Sequence, residues 1–260
     1  MTKCVVHQSG VVEFPNAFTV DPDALAQWME LRRTCEPDDY TVNDDGNFVN
    51  RGGYVFTPEQ YQSSPSRFLN LEPEGEDTTF LESILDVMYK CVLEYIDIFP
   101  TVAHSIWWRT DGQVASYKDG QGMGPHHDRA IEYIPGDIPA SEAPIHNEIT
   151  GSIVLQKAEE GGQLLFPINK TIINGEAGTV ILYPSNYIGS HAVAPVTRGE
   201  RLSYLEFYGQ GTPGGYEGNA PAQQSWFSAL LDPETGQRPM WGQSGHERGE
   251  IAGDPPPAES

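Results

Sequence analysis

The chain has 260 residues, and its 15 Lys and Arg against 37 Asp and Glu give a formal net charge of -22. So acidic a chain argues against nucleic acid as a partner, because phosphate backbones are gripped by basic faces, and it favours a neutral or cationic substrate. A hydrophobic content of 38% with 5 Trp, 12 Tyr and 10 Phe excludes a disordered chain and is enough for a substantial core.

Residues 5 to 14 read as an opening strand ended by Pro15. Asp21 then caps, and Pro22 starts, an amphipathic helix to about Arg33 that carries Leu25, Trp28 and Met29 on one side. Residues 36 to 76, rich in Asp, Asn, Gly, Ser and Pro, read as loops with short strands around Phe48 to Phe56. They would cover the mouth of whatever follows, with Arg51 and Tyr54 as candidate substrate contacts. Residues 79 to 99 form the clearest helix. Thr79-x-x-Glu82 is a capping-box pattern, and Leu81, Ile84, Leu85, Met88, Cys91, Val92 and Tyr95 recur at helical spacing.

From residue 102 the rhythm changes to short strands and turns, at 105–109, 114–117, 149–156, 163–166, 170–173, 178–184 and 201–208. Many strands without intervening helices indicate an antiparallel barrel or jelly roll. Between Arg129 and Glu148 lies an insert with Pro135, Pro139 and Pro144, read as a lid or a surface excursion. Residues 209 to 220 read as a linker, 222 to 231 as a short helix docked through Trp226, Phe227, Leu230 and Leu231, and the stretch from Gly242 as a mobile tail. The expected organisation is one domain: residues 1–101 packing on a core of 102–209, followed by a Gly/Pro-rich extension, 210–260. The 3 cysteines (Cys4, Cys35, Cys91) frame neither a disulfide scaffold nor a zinc site. With neither a signal-peptide pattern nor a run of roughly 20 apolar residues, the expectation is a soluble, cytoplasmic protein that spans no membrane.

The chemistry-bearing residues concentrate between 113 and 209. In Gly124-Pro125-His126-His127-Asp128, His126 and Asp128 are two apart and on an extended strand would share a side, whereas His127 would point away. An imidazole beside a carboxylate supplies two ligands of a facial 2-His-1-carboxylate iron site, with His191 as the third. Ten residues beyond it stands Arg201, whose guanidinium suits a carboxylate; Arg198 is its rival. His7, His104, His146 and His246 fit no ligand pattern.

The succession of Tyr117, His126-x-Asp128, Glu160-Gly161-Gly162-Gln-Leu-Leu-Phe166-Pro167, Gly178-Thr-Val-Ile-Leu-Tyr-Pro184 and His191-x-Val193-x-Pro195-Val196-x-x-Gly199-x-Arg201 resembles the iron(II)- and 2-oxoglutarate-dependent dioxygenases, in their prolyl-4-hydroxylase-like branch. The resemblance covers roughly residues 103 to 209. It implies a mainly β fold with flanking helices, a double-stranded β-helix of jelly-roll, cupin-like form, with Fe(II), 2-oxoglutarate and O2 as cofactor and co-substrates. It implies that His126, Asp128 and His191 hold the iron, that Arg201 pairs with the distal carboxylate of 2-oxoglutarate, and that Tyr117 donates a hydrogen bond to that carboxylate. The reaction implied is hydroxylation of an unactivated C–H bond coupled to conversion of 2-oxoglutarate to succinate. Related halogenases carry Gly or Ala where this chain has Asp128, so hydroxylation is the expected outcome.

The substrate expected is a small amino-acid-like or natural-product molecule, with Arg109, Trp107 and Trp108 as candidate contacts. A peptidyl prolyl 4-hydroxylase is the alternative within the enzyme class, and a cupin-like binding or scaffold protein without turnover is the alternative outside it.

Overall fold

A computed structural model describes residues 4–34, 41–49, 55–69, 78–110, 112–118, 120–129, 145–211 and 227–243. Arg51, Tyr54, Cys35, His246, the middle of the 129–148 insert, most of the 209–220 linker and the end of the chain lie outside these residues.

The N-terminal part holds β1 (Val5–Val6), β2 (Val12–Phe14), α1 (Pro22–Thr34), β3 (Thr41–Val42), β4 (Phe48–Val49), β5 (Val55–Phe56), α2 (Pro58–Ser63), β6 (Ser66–Leu69) and α3 (Thr79–Ile98). The start of α1 follows from Asp21, whose Oδ1 accepts from Asp23 N at 2.9 Å and Ala24 N at 3.3 Å. The helix α2 lies where only loops and short strands were expected. Its signal is Thr57-Pro58-x-Gln60, a capping box in which the Thr57 hydroxyl accepts from Gln60 N and the Gln60 side chain accepts from Thr57 N. The N-cap of α3 is Thr78 and not Thr79, and the Thr78 hydroxyl reaches forward to the Glu82 carboxylate at 2.7 Å.

Next come β7 (Trp108–Thr110), β8 (Gln113–Lys118), β9 (Met123–His126), β10 (His146–Gln156), β11 (Glu160–Gly161), β12 (Leu164–Phe166) and β13 (Thr171–Ile173). The series ends with β14 (Val180–Pro184), β15 (His191–Val193), β16 (Val196–Arg198), β17 (Glu200–Gln210) and β18 (Phe227–Ala229). Two expectations change. Residues 100–104 form a 3-10 helix, which moves the strand expected at 105–109 to 108–110. Of the helix expected over 222–231, residues 222–226 lie outside the described residues and 227–229 form a strand, because β7 offers an open edge whose backbone groups it completes, with Ser228 opposite Arg109. Leu230 still docks, at 1% exposure.

The large sheet runs β1-β2-β14-β10-β17-β7-β18, with β8 also on β17 and β6 on β8; the smaller one runs β13-β12-β15-β9. Strand alternation divides each central strand between two cores. On β14, Val180 and Leu182 face α1 and α3, whereas Ile181 and Tyr183 face the smaller sheet. Trp28, Ile84, Met88 and Tyr95 of the helices fill the first core. Leu164, Phe166, Ile173 and Val193 meet Ala115, Tyr117 and Val154 in the second, between the sheets. This is the jelly-roll arrangement expected from the strand rhythm. Among the described residues no helix is long and apolar enough to cross a membrane.

Candidate metal centre

The inner core opens at one end onto a ring of polar side chains. His126 ends β9 and His191 begins β15, and antiparallel pairing of the two strands sets them directly opposite, with ring centroids 4.3 Å apart. Asp128 lies past the end of β9, in a turn and not on the strand expected for it. Tertiary bonds place it instead: Arg129 N donates to Ser185 O at 2.9 Å, Asn147 Nδ2 donates to Asp128 O at 2.9 Å, and Thr150 Oγ1 donates to Asp128 Oδ2 at 2.8 Å. The candidate ligand atoms of His126, Asp128 and His191 all lie within 4.8 Å of one another. His127, also past the end of β9, is exposed.

Each histidine is oriented by a backbone carbonyl. Nδ1 of His126 lies 2.8 Å from Gly124 O and Nδ1 of His191 lies 3.1 Å from Gly189 O. With Nδ1–H donating outward, both Nε2 lone pairs turn inward, the tautomer that metal ligation needs. Burial opposes ionisation of Asp128, but the neighbouring His126 and His191 imidazoles and the Thr150 hydroxyl outweigh it and pull the carboxyl down to about 2. Burial, partly offset by Asp128, lowers the pKa of His191, which favours the neutral imidazole that can donate a lone pair.

Arg201 and Tyr117 are register partners on β17 and β8, both with side chains in the inner core, Arg201 at 6% exposure. Burial lowers the pKa of Arg201, with Tyr117 and Tyr183 opposing the shift, and among the described residues no carboxylate pairs with it. Two positions along β17, Ser203 is 1% exposed and its Oγ has no hydrogen-bond partner. A buried cation and a buried hydroxyl without partners are costly unless a ligand satisfies them. Arg198 is instead on the surface, bonded to Glu159 at 2.7 Å and Glu160 at 3.0 Å.

The pocket of about 40 Å³ among these groups is lined by the triad together with Tyr117, Tyr183, Arg201, Ser203 and Phe207. A larger cavity of about 350 Å³ shares Arg201 and Leu164 with it and extends past Gly162 and Asn174, away from the triad. Trp107, Trp108 and Arg109 line neither. Trp107 is 45% exposed with the Arg238 guanidinium 3.5 Å from its ring centre, and Trp108 Nε1 donates to Gly211 O at 2.8 Å. Arg109 pairs with buried Glu206 at 2.7 Å, beside Tyr208 and so on the helix-facing side of the sheet.

Sequence reasoning missed Tyr183, Thr150 and Ser203. Alternation along β17 places Ser203 with Arg201, so that one was readable; the other two depend on which strands β10 and β14 flank.

The donor set fits a divalent iron, and the unpaired Arg201 and Ser203 fit a carboxylate beside it. Residues 112–209 match the model of the 2OG-Fe(II) oxygenase superfamily. A PKHD-type hydroxylase of Acidovorax ebreus is 34% identical over 91 residues, which is 34% of this chain and 37% of that protein. One of Saccharophagus degradans is 31% identical over 91 residues, 34% of this chain and 38% of that protein. The chain thus spans well under half the length of these curated relatives. The fold is similar to that of a viral collagen prolyl hydroxylase from Paramecium Bursaria Chlorella virus-1 solved with 2OG, at 18% identity and a TM-score of 0.51, covering 80% of this chain and 99% of that one. It is also similar to a prolyl hydroxylase from Trichoplax adhaerens in complex with a hypoxia inducible factor peptide, at 14% identity and a TM-score of 0.53, covering 78% of this chain and 84% of that one.

Proposed function

We propose that this chain, whose residues 112–209 match the 2OG-Fe(II) oxygenase superfamily, is a 2-oxoglutarate-dependent hydroxylase of the prolyl-4-hydroxylase-like branch that acts on a small amino-acid-like or natural-product substrate. The observation that carries the reading is the convergence of His126, Asp128 and His191 next to a buried, unpaired Arg201. Ferrous iron bound there would supply oxygen activation, coupled to decarboxylation of 2-oxoglutarate to succinate. His126 Nε2, His191 Nε2 and an Asp128 oxygen would hold the metal on one face. Arg201 would neutralise the distal carboxylate in a site where water is scarce, with Ser203 and Tyr117 as neutral donors. The inner-core walls of Leu164 and Val193 would keep bulk water from the reacting centre. The reading assigns the chemistry to residues 102–209, a supporting role to 1–101 and 210–260, and a cytoplasmic setting.

A peptidyl prolyl hydroxylase is supported about as well, because the similar solved structures carry that description. Anaerobic addition of ferrous iron and then 2-oxoglutarate should give the weak visible band of the chelate. Succinate release with free amino acids set against short proline peptides then separates the two substrate readings. Folded protein that gives no band would leave a barrel used for binding alone.

A further inference from the structure

A metal that must keep three positions for other ligands needs Asp128 to give it one oxygen, not two. The structure shows how this chain arranges that. Thr150 and Tyr183 are register partners on β10 and β14, and both side chains point into the inner core. Their hydroxyls converge on a single atom: Asp128 Oδ2 lies 2.8 Å from Thr150 Oγ1 and 3.3 Å from the Tyr183 hydroxyl. Oδ1 is the oxygen on the His126 side, 3.5 Å from His126 Nε2.

Counting protons sharpens the picture. The Thr150 proton goes to Asp128, so in the 2.9 Å Thr150–Ser185 contact the donor is Ser185. Tyr183 has one proton and two acceptors in reach, Asp128 Oδ2 and, at 3.2 Å, His191 Nε2. His191 accepts there because its Nδ1 faces Gly189 O. A cation that takes the His191 lone pair removes one acceptor, and the Tyr183 proton then belongs to Asp128 alone. The ring cannot swing aside, because Tyr183 is 1% exposed and meets Phe166 edge-on at 5.1 Å.

We propose that Tyr183 and Thr150 are positioning residues that hold Oδ2 with two hydrogen bonds, reserve Oδ1 for the metal, and so keep Asp128 a one-oxygen ligand. The proposal rests on the metal reading of the triad. Without the two hydroxyls the carboxylate is free to chelate through both oxygens and to fill a position that the co-substrate needs.

The test uses the whole 260-residue chain loaded with cobalt(II), whose visible spectrum reports coordination number without turnover. Tyr183→Phe and Thr150→Val keep side-chain shape, and circular dichroism checks their fold. Each single variant should bind cobalt about 10-fold more weakly, the scale of losing one outer partner of a metal ligand. Tyr183→Phe/Thr150→Val should in addition shift the cobalt bands and weaken 2-oxoglutarate binding to the cobalt protein by about 10-fold or more. Variants with wild-type affinity and spectrum overturn the proposal and leave the metal reading standing. Failure of the folded wild-type protein to bind cobalt overturns both. Should the double variant not fold, Tyr183→Phe alone decides by its affinity.

Discussion

The Arg201 guanidinium carbon lies 5.5 Å from the centre of the Tyr117 ring, on neighbouring strands, and both side chains are buried in the inner core. No carboxylate among the described residues balances that charge. The protein therefore carries the desolvation cost of a cation, which a carboxylate ligand would recover.

Arg201→Met separates those two effects. Removing an uncompensated buried charge should stabilise the ligand-free protein by about 1 kcal/mol or more, raising its unfolding midpoint by about 2–4 °C. The same variant should bind 2-oxoglutarate about 100-fold more weakly, as expected for about 3 kcal/mol lost with a buried partner. Thermal unfolding with and without 2-oxoglutarate measures both. A variant less stable than wild type without ligand would mean that Arg201 has a structural job.

The triad makes a sharper division among neighbours in sequence. His191→Ala and Asp128→Ala should each lower ferrous iron affinity by more than about 100-fold, beyond the range seen for outer partners. His127→Ala, at the exposed position between two candidate ligands, should leave it unchanged. Anaerobic competition against a coloured chelator reads all three variants.

Gly162 has φ +73°, and a Cβ there would lie 3.0 Å from Arg201 Cδ and 3.2 Å from Val196 Cγ2. Gly162→Ala should cost about 1 kcal/mol in backbone strain and displace Arg201, weakening 2-oxoglutarate binding several-fold. Gly46→Ala is the control: φ is +77° there and nothing lies within 4 Å of the added carbon. It should show comparable strain in thermal unfolding with no change in 2-oxoglutarate affinity.

Glu200 ties α1 to the barrel. It accepts from Arg33 Nη2 at 2.8 Å and Ser116 Oγ at 2.6 Å, with Lys118 Nζ at 3.4 Å. Partial burial opposes its ionisation, but Ser116, Arg33 and Lys118 together hold its pKa below the ordinary 4.5. A carboxyl depressed in the folded state contributes stability above its unfolded value and loses it as pH falls through the folded one. Glu200→Gln should therefore cost about 1 kcal/mol at neutral pH, and the gap to wild type should close as pH drops below 4.5. Urea unfolding across the acid range measures the gap; a constant difference would remove charge from the explanation.

Much of this molecule was readable along the chain because the deciding interactions are local. The α1 cap at Asp21, the apolar stripe of α3 and the strand rhythm follow from spacing alone. The candidate ligands His126, Asp128 and His191 could be named for the same reason, since residue types and their order survive without coordinates. Whatever depends on contacts between distant strands had to wait for the fold. Residues 227–229 became a strand because β7 had an open edge, and Arg109 went to Glu206 because strand alternation turned it toward the helices. Asp128 is held by a turn and by Thr150, not by the strand that the spacing suggested. The sequence by itself determined the candidate donors and the barrel, which need only composition, order and period. The tertiary structure decided which oxygen of Asp128 the Thr150 and Tyr183 hydroxyls hold, because those two residues meet across two strands whose pairing no local pattern encodes.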